Sequence, residues 1–165
     1  MKLEKNVLKA MNEQINKELF SSYLYLSMSA YCESENYPGC AKWLKMQSEE
    51  ENDHGMKLYH FIHARGGRVE LEAIDKPKAD FKNLSQLFTQ VLEHELKVSS
   101  SITALYETAL KANDYPTQIM LQWFITEQVE EEKNANEIVD LLKKVGDSPV
   151  SLMMFDRQLG ARTVK

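Results

Sequence analysis

The chain has 165 residues and a formal net charge of −5, from 20 basic and 25 acidic side chains. That length supports one domain with a sizeable core, and the acidic balance argues against nucleic acid as a main partner, which would want a basic face. No apolar run approaches the roughly 20 residues of a membrane span, and the charged opening MKLEKNVLKAMNEQ does not read as a signal peptide.

Pro38-Gly39, Gly66-Gly67, Pro77, Pro116, Gly146 and Pro149 divide the chain and leave long stretches without a breaker. The stretches predict helices near 4–35, 40–65, 83–113 and 116–145. A short fifth near 149–160 carries VSLMMF. The turns at Asn36-Tyr37-Pro38 and Asn113-Asp114-Tyr115-Pro116 are short, so each joins antiparallel neighbours. The connection GGRVELEAIDKPKADFK, over 66–82, is long enough to cross from one end of a bundle to the other. Residues 1–165 therefore read as one all-α domain: two antiparallel hairpins, a long crossover, and a short C-terminal fifth helix. Cys32 and Cys40 lack the CxxC spacing of a metal pair and are expected to be free thiols of a cytoplasmic protein.

The inward stripes show where charge enters the core. In the third segment the a/d row is Leu84, Phe88, Val91, Glu95, Val98, Ile102, Leu105, Ala109; in the fourth it is Leu121, Phe124, Gln128, Glu131, Ala135, Ile138, Leu142, Val145. The second row is Leu44, Gln47, Glu51, His54, Leu58, Phe61, and the first is Met11, Ile15, Glu18, Ser22, Tyr25. Each seam is apolar at its ends and polar near its middle. Within SEEENDHGMK, Glu51 and His54 point inward while Glu49 and Asp53 face water. A solvated acidic face is the ordinary explanation of such a run. Several inward carboxylates, however, cannot be satisfied by one histidine, and burying a lone carboxylate is costly. A cation has to sit among them.

Spacing supports the same conclusion. Glu18 precedes Glu51 by 33 positions and His54 follows three later; Glu95 precedes Gln128 by 33 and Glu131 follows three later. Members of an i, i+3 pair share a helix face, and a helix, short turn and antiparallel return bring each first acid level with its pair. Two metals side by side about a pseudo-twofold axis would result. Oxygen ligands with imidazole suit iron or manganese and lack the thiolates of a structural zinc site. Tyr25 lies two turns after Glu18, on the same face.

With these residues in place, the sequence resembles a non-haem bacterial ferritin over essentially its whole length. The resemblance is carried by NEQINKELFSSYLYLSMSAY, EEENDH, GGRVELEAIDKP, DYPT and LQWFITEQVEEEK. It implies the ferritin-like bundle and a di-iron ferroxidase centre with two irons per subunit. One iron would be held by Glu18, Glu51 and His54 with Gln128 nearby; the other by Glu51, Glu95 and Glu131, with Glu51 as the bridge. Tyr25 matches the family's tyrosine beside the metals. A third iron site, frequent in bacterial members, would use Glu50, Glu127 and Glu130 with Glu131 shared. The implied chemistry is oxidation of Fe(II) to Fe(III) by dioxygen or hydrogen peroxide. The product would be stored as ferric mineral inside a homo-oligomeric shell of 24 subunits.

Neighbouring groups fit less well. Bacterioferritins repeat Glu-x-x-His in both halves, whereas here the second pair is Gln128 and Glu131. Their haem-ligating methionine is replaced by Asn52, so no haem is expected. Peroxide-detoxifying rubrerythrins carry CxxC pairs that this chain lacks, and a non-catalytic interaction bundle would fill its seams with leucine. Trp43 and Trp123 are expected to pack, His60 and His63 to lie at the surface, and His94 to point away from the centre. Met153 and Met154 are expected to pack the fifth helix at a subunit contact.

Overall fold

The computed structural model describes residues 2–163. Five helices follow in chain order: α1 (Lys5–Ser34), α2 (Pro38–Ala64), α3 (Leu84–Lys111), α4 (Tyr115–Val145) and α5 (Pro149–Gly160). The α2 start lies two residues before the expected 40. Pro38 occupies the first helical turn, where its missing N–H costs nothing.

The two tight turns are built alike. Asn36 and Asn113 take positive φ, 61° and 52°, a conformation asparagine tolerates better than most residues. The next amide in each closes a wide loop onto the preceding helix: Tyr37 N donates to Cys32 O at 2.8 Å and Asp114 N to Ala109 O at 2.9 Å. This helix-ending motif satisfies the last carbonyls and reverses the chain at once. The Asp114 carboxylate accepts from Thr117 N at 3.2 Å, capping α4, and from Arg65 Nη1 at 2.9 Å, which ties the end of α2 to the α3–α4 turn.

The crossover has no regular structure, yet it is fastened along α1. Asn12 Nδ2 donates to Arg68 O at 3.2 Å, Asn16 Nδ2 to Ala73 O at 3.1 Å, and Ser27 Oγ to Lys78 O at 2.8 Å. The connection thus runs the length of α1 and delivers α3 parallel to α2, completing the four-helix bundle with one long crossover.

Two apolar clusters fill the bundle, one at each end. Tyr25, Met28, Leu44, Phe88, Leu142 and Phe155 belong to the first. Met11, Ile15, Leu58, Ile102, Leu121 and Phe124 belong to the second. The polar residues of the stripes lie between them. α5 crosses the start of α2 at very close range. A Cβ on Gly39 would fall 1.8 Å from Asp156 O, so only glycine permits the contact. Across it, the Asp156 carboxylate accepts from Cys40 N at 2.8 Å. Burial pushes the Cys32 thiol up to about 12 and raises Cys40 as well. Both cysteines are free and buried.

The α3 row is buried at every expected position, and α4 differs only at half-buried Val145. Two expectations need correction. Ile62, not Phe61, completes the buried face of α2, and in α1 Ser21 is buried while Ser22 is half-buried. α1 is enclosed by α2, α3 and the crossover, so its buried arc is wider than a two-position stripe. Glu49 and Asp53 are exposed, as expected.

Candidate metal centre

The polar layer brings together side chains from α1 to α4. Glu18, Glu51 and Glu95 are each 1% exposed, and Glu131 is 3%. Glu18, Glu51 and His54 form the tightest group: one ligand-type atom from each lies within 4.8 Å of the others. His54 Nδ1 is 3.5 Å from Glu51 Oε2, and the imidazole is held edge-on between Trp123 and Phe124, at 5.3 and 6.0 Å between centroids.

This group is short of donors. Glu18 Oε1 accepts from Gln14 Nε2 at 2.7 Å, but Glu18 Oε2 and both oxygens of Glu51 have no hydrogen-bond partner among the described residues. Burial, reinforced by the Glu51 charge, holds the Glu18 carboxyl well above the usual carboxylate range. Burial and the neighbouring Glu95 do the same to Glu51. Buried polar atoms in native proteins are nearly always paired. Three orphan carboxylate oxygens converging beside an imidazole nitrogen are therefore a cation cradle in charge, donor type and geometry.

The α3–α4 side of the layer is arranged differently. Glu95 accepts from the Tyr25 hydroxyl and, at 3.1 Å, from Gln128 Nε2, which also donates to Ser99 Oγ at 3.2 Å. Glu131 Oε2 accepts from Gln47 Nε2 at 2.9 Å. Burial raises Glu95 against the pull of these bonds. It takes Glu131 up to about 7, with the Glu95 charge adding and the Gln47 bond opposing. Glu95, Gln128 and Glu131 share the buried layer with the first group, and the two carboxylates lie outside the 4.8 Å cluster. Tyr25 itself is fully buried, its ionisation opposed by burial and by Glu95.

Three supporting residues carry no role in the sequence reading. Gln14 connects Glu18 to Ser101, whose hydroxyl donates to Gln14 Oε1 at 2.5 Å, and Ser101 in turn accepts from Lys17 Nζ at 2.7 Å. Position 14 is one helical turn before Glu18, which is the only signal the sequence offered. Gln47 stands in the α2 stripe one turn before Glu51, and a polar residue there was a visible clue. His94, expected to point away from the centre, is half-buried and lies outside the group of Glu18, Glu51 and His54. It contacts Ser21 Oγ at 2.7 Å and meets the Tyr25 ring edge-on at 5.8 Å. Burial, then Lys97, lowers its pKa to about 4.

Of the remaining candidates, Glu127 is half-buried, Glu130 is exposed, and Glu50 is paired with Arg162 at 2.7 Å. Trp43 is buried in the core, whereas Trp123 is 38% exposed, with Lys57 Nζ 3.8 Å above its ring. His60, His63, Met153 and Met154 are exposed. Among the described residues no helix is long and apolar enough to cross a membrane.

A helical bundle with one long crossover, carrying carboxylates and an imidazole in a buried central layer, defines the class of ferritin-like carboxylate bundles. Comparison with known proteins agrees. The family model Ferritin, the ferritin-like domain, matches residues 8–145. The chain is 39% identical over 161 residues to the bacterial non-heme ferritin of Staphylococcus aureus strain USA300, spanning 98% of this chain and 97% of that one. It is 38% identical over the same span to the bacterial non-heme ferritin of Staphylococcus haemolyticus. Among solved structures, an open pore ferritin from the hyperthermophilic archaeon Archaeoglobus fulgidus superposes with a TM-score of 0.96 at 38% identity, covering 98% of this chain and 99% of that one. An engineered closed form of the A. fulgidus ferritin gives 0.97, covering 99% of each chain. The chain belongs to the ferritin family.

Proposed function

We propose that this protein stores iron, oxidising Fe(II) to Fe(III) at a di-iron centre within each subunit and holding the product as ferric mineral inside a hollow homo-oligomer. The observation that carries the reading is the set of three unpartnered carboxylate oxygens on Glu18 and Glu51 beside His54. Four buried carboxylates, of Glu18, Glu51, Glu95 and Glu131, carry a charge that two divalent cations would balance. In this reading Glu18, Glu51 and His54 bind one Fe(II), and Glu51, Glu95 and Glu131 bind the other, with Gln128 beside them. Each Fe(II) gives up one electron. Dioxygen takes two electrons and two protons to become hydrogen peroxide, or peroxide takes the same to become water. Carboxylate oxygens favour the harder Fe(III) product.

Tyr25 orients Glu95 by donating its hydroxyl hydrogen. The exposed Glu130 and the half-buried Glu127, with Glu50, are the acids a third ion would use, and Arg162 stands beside Glu50 at that place. The entire chain acts as one unit in the cytoplasm, and 24 copies form the shell. Kinship with non-heme ferritins and with an open pore ferritin supports iron as the cargo and a hollow assembly, and the haem-free relatives support a centre without haem.

The test is aerobic addition of Fe(II) to the purified, iron-free protein. A rapid ferric absorbance in a particle far larger than a monomer is expected; a colourless monomer would return the chain to the class of non-catalytic interaction bundles.

A further inference from the structure

Beyond α5 the chain turns back onto α2. Lys42 Nζ donates to Gly160 O at 2.9 Å, and Arg162 N donates to Leu159 O at 3.1 Å, fixing the turn. Arg162 then reaches into the bundle wall. Its Nη1 donates to Gln47 Oε1, its Nη2 meets Glu50 Oε2 at 2.7 Å, and its guanidinium carbon lies 5.0 Å from the Trp43 ring. With only 17% of its side chain exposed, it is fixed on three sides. Arg162, Trp43 and Glu130 together line a groove of about 580 Å³ between α2, α4 and the C-terminal segment.

The contact to Gln47 matters because of what Gln47 does next. A primary amide has one oxygen and one nitrogen. If Arg162 donates to the oxygen, the nitrogen must face the other way, and it donates to Glu131 Oε2 at 2.9 Å. The relay from Arg162 through Gln47 to Glu131 therefore sets both the flip of the amide and the direction of the carboxylate. The other arm of the same fork sits on Glu50. A planar guanidinium holds two such partners at once where an ammonium would not.

We propose that Arg162 is a positioning residue of the metal centre: it fixes Glu131 through Gln47 and fills the place beside Glu50 that a third cation would otherwise take. The inference rests on the di-iron reading above. It makes the C-terminal segment the element that decides how many ions the centre holds. A pin that merely fastens the C-terminus would use the same contacts but would leave metal number unchanged.

The test uses the full-length, iron-free protein crystallised and soaked at graded concentrations of Zn(II), which binds carboxylate and imidazole without redox chemistry. Ions at the centre are counted, and their occupancies read, by anomalous diffraction. The wild type is expected to stop at two ions per chain. Arg162→Ala should admit a third beside Glu50 and weaken the ion at Glu131 by about 10- to 100-fold, the range for lost supporting contacts. Glu50→Gln added to Arg162→Ala should return the count to two. Arg162→Lys, which keeps the charge and the fold, should exclude the third ion while leaving the Glu131 ion weakened. Two ions with unchanged occupancies in Arg162→Ala, or wild-type behaviour in both respects in Arg162→Lys, would overturn the proposal. If the wild type binds no ion at Glu18, Glu51 and Glu131, both this inference and the di-iron reading fall; if it binds two and the variants match it, only the role of Arg162 falls.

Discussion

The α1–α2 hairpin and the α3–α4 hairpin carry ligand-type residues at the same spacing, yet they are finished in opposite ways. In the first, Glu18 and Glu51 keep three oxygens with no hydrogen-bond partner among the described residues, beside His54. In the second, Glu95 is held by Tyr25 and Gln128, and Glu131 by Gln47. A cation entering the first half satisfies groups that nothing else satisfies. One entering the second half competes with hydrogen bonds already made. Replacement of the second histidine position by Glu131 thus comes with a set of amide and hydroxyl donors that steady the extra negative charge. Under the proposed di-iron reading, the pairing of a bare half with a braced half predicts two iron positions of unequal affinity.

Removing the one carboxylate assigned to both positions should have the largest effect. Glu51→Ala is expected to lose both ions and to slow Fe(II) oxidation by more than about 100-fold, beyond the 10- to 100-fold typical of supporting residues. Stopped-flow absorbance and metal analysis check this. Because the substitution also removes a buried carboxyl whose oxygens lack hydrogen-bond partners among the described residues, the metal-free variant should fold and melt no lower than wild type.

The braced half should reveal itself through pH. The Glu131 carboxyl lies at about 7 in the fold, against 4.5 when unperturbed, so the native chain keeps a proton that the unfolded chain releases. The contribution of Glu131 to the stability of the metal-free protein is therefore fully present below the unfolded value and is lost as pH rises from about 4.5 toward about 7. The loss is of order 3 kcal/mol. Glu131→Gln should reduce the slope of thermal midpoint against pH in that range, where Glu18, Glu51 and Glu95 are raised as well. An unchanged profile would mean that Glu131 is not the group responsible.

Smaller effects should sharpen the contrast. Gln14→Leu removes the Gln14 amide donor to Glu18 and leaves the second half untouched; the Glu18 ion should weaken by about 10-fold while the Glu131 ion does not change. Tyr25→Phe acts on the other side, freeing one oxygen of Glu95, and should slow oxidation by about 10-fold without abolishing it. No change in rate would reduce Tyr25 to packing, and complete loss would make its hydroxyl a ligand.

The legible part of this molecule was its periodic part. Sparse prolines and glycines marked the helix ends to within two residues, and the uninterrupted a/d rows of α3 and α4 placed Glu95, Gln128 and Glu131 inside on spacing alone. α1 was read less well, because the crossover covers a face that a two-position stripe assigns to water. What the sequence could not convey was which inward groups already had partners. Gln47 was visible in its stripe, but its bond to Glu131 depends on how two helices face each other. Arg162 stands 112 positions from Glu50, past the end of the last helix, with no periodic relation to the site. The bareness of the first half is likewise a property of neighbours, not of spacing.

The most direct measurement of the difference between the halves is iron occupancy at limiting metal. Crystals of the iron-free protein would be soaked anaerobically with about one Fe(II) per chain and examined by anomalous diffraction at the iron edge. The position among Glu18, Glu51 and His54 is expected to fill first, and the position among Glu51, Glu95 and Glu131 only as Fe(II) is raised. Filling in the reverse order, equal filling from the start, or iron confined to surface acids would contradict this expectation.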